Sequence, residues 1–406
     1  MDEPEVLAYL RLGLRLGRLA DGYVDCWFGD PALRGQVDDE PLATPAELVR
    51  EATGLLDRVA DGDLAPDRKR FLRAHIVAMR CAALRMAGEL VPFHTEVRAY
   101  FQVEAELGDP DRYAEAHDGI RALLPGTGDL RARLERFHEA NTVGPEHLQR
   151  AVQAVSDELR PLVRARHGLP DGEQVRYEVV HDKPWHAFNR YLGGYRSLVM
   201  LDCQAGRNLA ALPLLATHES YPGHHTEHCL KEAGLVAERG AGEHALVLVN
   251  TPQCLVAEGM AELALEASIG DGWGAWTSEV LAEQGVQVDG ERVEAVMRWW
   301  WQLMGARQDA AIMLHDRGAP VEQVTDYLGR WLLVPEQRAE HMVRFLTDPL
   351  WRAYSVSYVE GRRLVGEWLS ARPADETVAD RFDRLLRTPT LPEDLSRDLV
   401  GGGLPR

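Results

Sequence analysis

The chain has 406 residues, 45% of them hydrophobic, so it is long enough to bury a large core in one domain or several. Its formal net charge at pH 7 is −19, which disfavours nucleic acid and anionic membrane surfaces as partners.

Cysteine usage and the N-terminus indicate a cellular compartment. The five cysteines are scattered and contain no Cys-x-x-Cys pair, which favours a reduced cytoplasmic protein and argues against zinc held by thiolates. The opening MDEPEVLAYLRLG is charged, unlike a signal peptide, and no run of about 18 apolar residues predicts a membrane span.

The first part of the chain has the periodicity of amphipathic helices. Thr44 and Pro45 suit the N-cap and the first helical position of one of them. The pattern predicts helices at 3–24, 45–60, 66–89, 96–107, 109–123, 129–139 and 145–166.

The pattern changes over residues 167–203. GLPDGEQ has turn composition, and the segments 175–181 and 193–202 read as the only clear pair of strands. Helical periodicity then returns at 209–233, 244–270, 287–316, 320–331, 335–347, 353–371 and 375–388. The sequence therefore predicts a mainly α fold with one small sheet before a histidine-rich segment.

That segment is HESYPGHHTEH, residues 218–228. A helix can offer zinc two histidines one turn apart, with a glutamate beside the first as general base. His218 and Glu219 fit the first half of this pattern, but Pro222 stands at the second position. In an unbroken helix His225 would lie about 10.5 Å along the axis from His218, which is too far to share an ion.

Pro222 and Gly223 offer a solution, because proline removes a helical hydrogen bond and glycine tolerates unusual backbone angles. If two residues bulge out, His224 moves into the place of the second histidine. The alternative is a solvated helix that is rich in histidine by coincidence. His225 and His228 are expected to lie behind the ligands or at the surface.

A third ligand is expected from the helix containing VAEGMAELALE, residues 256–266. Its apolar neighbours predict burial, and buried carboxylates need partners. Glu258 is the candidate ligand and Glu262 a candidate partner for a ligand histidine. Glu262 and Glu266 could instead face solvent, which we favour for Glu266.

These residues resemble the bacterial domain-of-unknown-function family 885, which is related to the glutamate-zincin metallopeptidases. The likeness rests on His218-Glu219-x-x-Pro222-Gly223-His224-His225 followed by Glu258-Gly259, and it extends over nearly the whole chain, including YLGGYRSLVMLD (191–202) and SYVEG (357–361). The chain departs from the family at residues 258–263, which read Glu-Gly-Met-Ala-Glu-Leu where the family usually has Glu-Gly-Trp-Ala-Leu-Tyr, and at Glu227, where the family often has Gln. The missing Trp and Tyr bear on substrate contacts and leave the ligands intact.

The resemblance implies a zincin-like helical metallohydrolase. His218, His224 and Glu258 would bind one zinc ion per chain, and Glu219 would act as the base. A helical N-terminal lobe, 1–166, would precede a catalytic lobe, 167–406, within one continuous structural unit. The segment 191–202 looks like the edge strand of the family.

Further residues are candidates for stabilising the oxyanion or binding substrate. His315, Tyr358 and Arg307 lie in the C-terminal motifs, together with Tyr354 as a substrate contact. His315 could equally cap a helix end, and Arg307 could pair with Asp309.

The strand 196–201 could pair with an extended peptide, so that Arg196 meets a substrate carboxylate. Arg196 could equally neutralise nearby acidic residues.

The sequence thus predicts a zinc-dependent hydrolase of peptide or amide bonds in small substrates. A zinc enzyme with another substrate, or a binding module without turnover, remains the alternative. Manganese, cobalt or iron would also suit these ligands. The sequence leaves the oligomeric state open.

Overall fold

The computed structural model describes residues 3–142, 144–181, 187–203 and 212–401. Helices dominate it, and local capping explains where several begin. Thr44 and Glu47 form a capping box ahead of Pro45, which confirms the predicted helix start. The helices of the first part are α1 Pro4–Leu19, α2 Pro31–Asp39, α3 Pro45–Asp61, α4 Pro66–Met86, α5 Phe93–Phe101, α6 Pro110–Leu123, α7 Leu130–Ala140 and α8 Pro145–His167.

The strands differ from the sequence prediction. They are β1 Val24–Trp27, β2 Gln174–Val180, β3 Ala187–Gly193, β4 Arg196–Asp202 and β5 Leu246–Leu248. The predicted pair, β2 and β4, is confirmed as a parallel pair, but β3 adds to the other side of β4 in antiparallel orientation. β1 and β5 form a second, antiparallel pair, so the expectation of a single strand pair was wrong.

The strand order β2-β4-β3 corrects one further expectation. β4 was expected to be an edge strand open to a peptide substrate, but hydrogen bonds to its two neighbours occupy both its edges. β3 was missed because its sequence, AFNRYLG, contains no β-branched residue. The first predicted helix was also too long, because it ends at Leu19 and the positive φ of Gly22 turns the chain into β1.

The second part of the chain is again mainly helical. Its helices are α9 Leu212–Glu219, α10 His224–Lys231, α11 Pro252–Ser268, α12 Trp273–Glu283, α13 Gly290–Leu303, α14 Gly305–His315, α15 Val321–Trp331, α16 Glu336–Thr347, α17 Ser355–Ser370, α18 Val378–Arg387 and α19 Pro392–Gly401. A π-helical segment, Glu232–Glu238, and a 3-10 turn, Gly242–Ala245, follow α10. Residues 209–211, where the long helix was predicted to start, lie outside the described residues.

Two clusters of buried apolar side chains hold these elements together. The larger one joins α1–α7 to α11 and α13–α19, and the smaller one joins α8, β2, β4, α9 and α12. α9 contributes to the smaller cluster and α11 to the larger, and these two helices pack against each other. The fold is therefore mainly α with a small sheet, as predicted, while the division at residue 166 stays a prediction.

No helix among the described residues combines the length and apolar character needed to cross a membrane.

Candidate metal centre

The histidine-rich segment breaks between α9 and α10 in a defined way. The amide of Gly223 donates to the carbonyl of Thr217 at 2.8 Å, and the amide of Thr226 donates to that of Ser220 at 3.2 Å. Each bond spans six residues, whereas an α-helical bond spans four. Two extra residues are thus inserted, and His224 takes the place that residue 222 would have in a continuous helix. This is the backbone arrangement that the sequence predicted.

Gly223 allows the chain to return so closely to α9. A Cβ atom at this position would lie 1.9 Å from the carbonyl oxygen of His218 and 2.3 Å from that of Thr217. Any other residue would collide with backbone that cannot move without disturbing α9. The Tyr221–Pro222 peptide bond in the same loop is cis.

The break brings three potential ligands together. His218 Nε2 lies 3.2 Å from His224 Nε2 and 3.4 Å from Glu258 Oε2, and His224 Nε2 lies 3.7 Å from Glu258 Oε1. Ligand atoms about 2.1 Å from a tetrahedral zinc ion lie about 3.4 Å apart. The separations therefore fit one divalent ion at the centre of the three side chains, which form one of the described clusters able to hold a metal.

One unpaired atom supports the same fit. Glu258 Oε2 is buried and has no hydrogen-bond partner among the described residues. A buried carboxylate oxygen without a partner is costly, and a cation would satisfy it. The two-histidine, one-carboxylate set suits zinc and also manganese, cobalt or iron.

The second nitrogen of each histidine faces another carboxylate. His218 Nδ1 lies 3.7 Å from Glu262 Oε1, and His224 Nδ1 lies 4.0 Å from Glu227 Oε2. Carboxylates behind ligand histidines orient the ring and direct the other nitrogen toward the ion. Glu262 is therefore where the sequence prediction expected it, whereas Glu227 was missed although it lies three residues after His224.

Glu227 is itself held by a cation. Lys231 Nζ donates to its Oε1 at 2.6 Å. Burial by itself raises the pKa of Glu227, but Lys231 and the nearby histidines outweigh burial and lower the pKa to about 2. Burial likewise lowers the pKa of His224, but Glu227, Glu258 and Glu219 outweigh it and raise the pKa to about 10. The carboxylates thus make the surroundings of the histidines strongly favourable for positive charge.

Glu219, the predicted base, is 6% exposed and lies beside the ligand group. Burial raises its pKa, while His218 and His224 oppose that rise. The side-chain amide of Asn189 on β3 donates a hydrogen bond to the backbone carbonyl of Glu219. The small sheet therefore anchors the end of α9, and Asn189 is a residue that the sequence did not single out.

The C-terminal tyrosines Tyr354 and Tyr358 lie close to Glu258. The hydroxyl of Tyr354 donates to Glu258 Oε1 at 2.7 Å, so this residue contacts a ligand instead of solvent. The Tyr358 ring packs edge-on against Tyr354 at 5.5 Å, and burial together with nearby Glu258 raises its pKa well above the usual range. The guanidinium of Arg307 lies 5.5 Å from the centre of the Tyr358 ring.

Two of the predicted residues, His315 and Arg196, have their contacts outside the group of metal ligands. His315 donates from Nε2 to the Leu346 carbonyl, 2.7 Å away on α16, and packs on Phe93, so its partner lies on another helix instead of at the end of its own helix. Arg196 is exposed and lines a surface groove with Trp27 and Phe28. Among the described residues Arg196 makes no ion pair, so nearby acids do not account for it.

The alternative partner suggested for Arg307 is also occupied. Asp309 accepts hydrogen bonds from the hydroxyls of Tyr113 at 2.8 Å and Tyr327 at 2.6 Å, and from the amide of Gly108 at 2.7 Å. Arg307 is therefore free of that ion pair and remains beside Tyr358.

His225 points away from the ligand group. It is fully buried, its Nδ1 lies 2.9 Å from Ser197 Oγ, and its Nε2 lies 3.1 Å from Glu173 Oε2. Glu173 also accepts a hydrogen bond from the hydroxyl of Tyr221 at 2.6 Å. Glu173 thus ties the inserted loop to the turn before β2, a role that its place in a turn sequence did not indicate.

Asp25 is a further residue that the sequence analysis missed. It lies on β1, partly buried, and burial raises its pKa to about 7, although His224 opposes the rise. Its electrostatic interactions with His224, Glu258 and Glu219 place it near the ligand group. The signal available in the sequence was a single acid within the apolar run YVDCWF.

Comparisons with known proteins show the fold alone. No protein-family model matches the chain, and no curated protein matches it. A protein from Colwellia psychrerythraea, provisionally described as a lipoprotein, has a TM-score of 0.52 and 15% identity, with 87% of this chain and 66% of that chain covered. The chain therefore spans just under two thirds of the length of that protein.

A protein from Shewanella oneidensis, provisionally described as a lipoprotein of unknown function, is similar to the same degree. Its TM-score is 0.51 at 14% identity, with 95% of this chain and 77% of that chain covered. Neither likeness bears on the resemblance to family 885, which stays a prediction.

Proposed function

We propose that the protein is a zinc-dependent hydrolase of peptide or amide bonds in small substrates. The observation that carries this proposal is the convergence of His218, His224 and Glu258 beside a buried Glu219. Neither nucleic acid nor a membrane enters the proposal, because the net charge of −19 opposes both.

The three ligands would hold the ion, and Glu262 and Glu227 would keep their histidines oriented. A bound zinc ion supplies Lewis acidity toward water and toward a substrate carbonyl. Glu219 takes up a proton at its carboxylate and returns it to the leaving amine, a role that its raised pKa suits. Tyr354 fixes the carboxylate of Glu258 through its hydroxyl.

Tyr358 and Arg307 are the groups best situated to stabilise negative charge on the substrate. Tyr358 interacts electrostatically with Glu258 and Glu219, and Arg307 lies against its ring. A protonated phenol and a guanidinium are both hydrogen-bond donors suited to an oxyanion. His315 has no part in this proposal, because its ring is engaged with Leu346 and Phe93.

A cytoplasmic location belongs to the proposal as well. All five cysteines are free and buried, which is typical of a reducing compartment. The two structural neighbours are provisionally described as lipoproteins, which favours attachment to a membrane as the alternative. Cell fractionation of the native protein distinguishes the two locations.

The variant Glu219→Gln tests the mechanism. It removes the proton acceptor and leaves the three ligands in place, so kcat against a peptide or amide substrate found by screening should fall about 10²–10⁴-fold. Zinc content measured by mass spectrometry should not change. The control is Glu266→Gln on α11, whose side chain is 51% exposed. Undiminished turnover in Glu219→Gln would contradict the mechanism.

The ligand set has a separate test. His218→Ala and His224→Ala, purified without added metal, should each lose the zinc ion held by this ligand set, because each removes one of its three ligands. His225→Ala is the matched control, since His225 faces Glu173 and Ser197. Loss of zinc in His225→Ala with retention in His224→Ala would overturn the assignment.

A further inference from the structure

β1 contains an irregularity that faces the metal centre. Its register with β5 shifts between Val24, which is opposite Leu248, and Cys26, which is opposite Val247. Asp25 is therefore an extra residue on β1. In a regular strand consecutive side chains point to opposite faces, but a bulge re-aims one of them. Asp25 and Cys26 can consequently offer their side chains to the same point.

His228 on α10 completes a group with these two residues. It lies one turn after His224, and the two rings are 6.5 Å apart and nearly parallel. A carboxylate oxygen of Asp25, the thiol sulfur of Cys26 and a ring nitrogen of His228 all lie within 4.8 Å of one another. The group is separate from His218, His224 and Glu258 and shares no residue with them.

The three side chains also lack other polar partners. Among the described residues none of them makes a side-chain hydrogen bond or an ion pair, although Cys26 is 6% exposed and His228 is 7% exposed. His228 instead stacks on the ring of Tyr191 at 4.8 Å. Cys26 and His228 are therefore largely buried side chains whose polar atoms lie close to each other and to Asp25.

We propose that Asp25, Cys26 and His228 bind a second divalent transition-metal ion, of the zinc or cobalt type, beside the first. Thiolate, imidazole and carboxylate together are a donor set that such ions accept. Binding requires the thiolate, so the Cys26 thiol loses its proton to solvent as the sulfur–metal bond forms. The sequence argued against thiolate-bound zinc because it has no Cys-x-x-Cys pair, but here one thiolate is combined with ligands from two distant elements.

The local charge favours a second cation. Asp25 interacts electrostatically with Glu258, Glu219 and Glu227, whereas Lys231 is already paired with Glu227. A single divalent ion among these carboxylates leaves negative charge uncompensated, and a second ion neutralises it. This site does not depend on the proposed hydrolysis.

Titration of the metal-free full chain with cobalt tests the second site. Of the two groups found among the described residues, this one alone contains a cysteine. Its occupation should therefore produce the near-ultraviolet thiolate-to-cobalt absorption and a second equivalent of bound metal. Cys26→Ser should lose this absorption and one equivalent of metal, and His218→Ala should lose one equivalent but keep the absorption. Cys229→Ser is the matched control. Cys229 lies on α10 and is buried, as Cys26 on β1 is, but it does not belong to the group.

The wild-type chain provides an independent readout if a variant fails to fold. Saturation with cobalt should give two bound equivalents, and the absorption should rise with only one of them. Saturation at one equivalent without the absorption overturns the proposal, as does an absorption that persists in folded Cys26→Ser. Failure of hydrolysis with two bound ions would reject the proposed function but not this site.

Discussion

At the scale of single residues, Gly223 decides whether the two histidines can meet. A Cβ atom there would lie 1.9 Å from the His218 carbonyl oxygen. Gly223→Ala should therefore displace His224, abolish binding of the zinc ion held by His218, His224 and Glu258, and lower the free energy of unfolding by about 1–3 kcal/mol. Metal content and urea unfolding measure the two effects.

Gly234→Ala is the control for that variant. Gly234 lies in the π-helical segment after α10, and a Cβ atom there meets nothing within 4 Å. It should bind zinc like the wild type. A Gly223→Ala protein with full zinc content would show that the loop can rearrange without moving His224.

Glu173 holds the loop that contains Gly223 in place through hydrogen bonds and charge. It accepts hydrogen bonds from Tyr221, from Arg160 Nε at 2.6 Å and from an Arg164 nitrogen at 2.9 Å, and it pairs with His225. Burial by itself raises its pKa, but these partners outweigh burial and lower the pKa to about 2. The carboxylate is thus charged in the folded protein well below the pH at which it becomes protonated in the unfolded chain.

The lowered pKa predicts how the contribution of Glu173 depends on pH. An unfolded glutamate has a pKa of about 4.3, so the stabilisation is complete above that pH and is lost as the pH falls toward 2. Glu173→Gln should reduce the free energy of unfolding by about 3–5 kcal/mol at pH 7, since it leaves buried partners unpaired. Urea unfolding at pH 7, 5 and 3 should show that the free energy of unfolding of the variant is lower than that of the wild type, and that this difference becomes smaller only at pH 3.

Asp171→Asn is the control for this pH series. Asp171 is a fully exposed acid 3.5 Å from Arg164, and its substitution should change stability by less than about 1 kcal/mol at every pH. A deficit in Glu173→Gln that is equal at pH 7 and pH 3 would contradict the assigned pKa.

At the scale of elements, the contact between α11 and α17 fixes the third ligand relative to the tyrosines. Cβ atoms at Gly259 and Gly361 would lie 2.3 Å from the facing backbone of Gly361 and 2.5 Å from the carbonyl oxygen of Leu255, respectively. The two helices can therefore approach so closely only because glycines meet. This approach brings Tyr354, at the start of α17, to Glu258 on α11.

Gly361→Ala should separate these helices. It is expected to lower the free energy of unfolding by about 1–3 kcal/mol through overpacking, and to weaken zinc binding about 10–100-fold as Tyr354 leaves Glu258. Gly366→Ala on the same helix is the control, because its Cβ atom would be 3.7 Å from Leu263 Cδ1, an ordinary contact. That variant should be unchanged or more stable by about 0.5–1 kcal/mol.

Zinc affinity, measured by competition with a chelator, should be lower in Gly361→Ala than in Gly366→Ala. Equal affinity in Gly361→Ala and Gly366→Ala would mean that the distance between the helices does not control Glu258.

The order of the strands shows a limit of sequence reasoning at the same scale. Turn residues and β-branched side chains indicated β2 and β4, but a strand sequence does not state which of its edges are paired. β3 occupies the edge of β4 that was expected to meet substrate, and its Asn189 supports Glu219 instead.

At the scale of the whole molecule, buried polar contacts cross the predicted lobe boundary at residue 166. Glu96 is fully buried and accepts hydrogen bonds from Arg85 in its own lobe and from Arg352 beyond the boundary. Tyr113 likewise donates to Asp309. The larger core also contains apolar residues from both sides of the boundary.

A fragment containing residues 1–166 should therefore not fold by itself. It would leave Glu96 without Arg352 and expose the apolar faces that α11 and α13–α19 cover, and buried groups without partners are strongly destabilising. Near-ultraviolet circular dichroism and urea unfolding of the fragment, compared with the full chain, measure this. A cooperative transition in the fragment would show that the N-terminal lobe is an independent domain.

The sequence by itself determined most of the helices and indicated the candidate ligands, because helical periodicity, caps and the spacing of His218 and His224 are local properties of the chain. The Pro222-Gly223 pair even indicated the two-residue insertion, since both residues act on the backbone next to them.

Tertiary structure alone decided which distant groups meet at that site. Asp25, Glu173 and Tyr354 are separated from the histidines by long stretches of chain, and only the packing of β1, β2 and α17 around α9–α11 brings them there. It also decided that β4 is central and that His315 faces Leu346, because pairing and burial depend on contacts that no local pattern encodes.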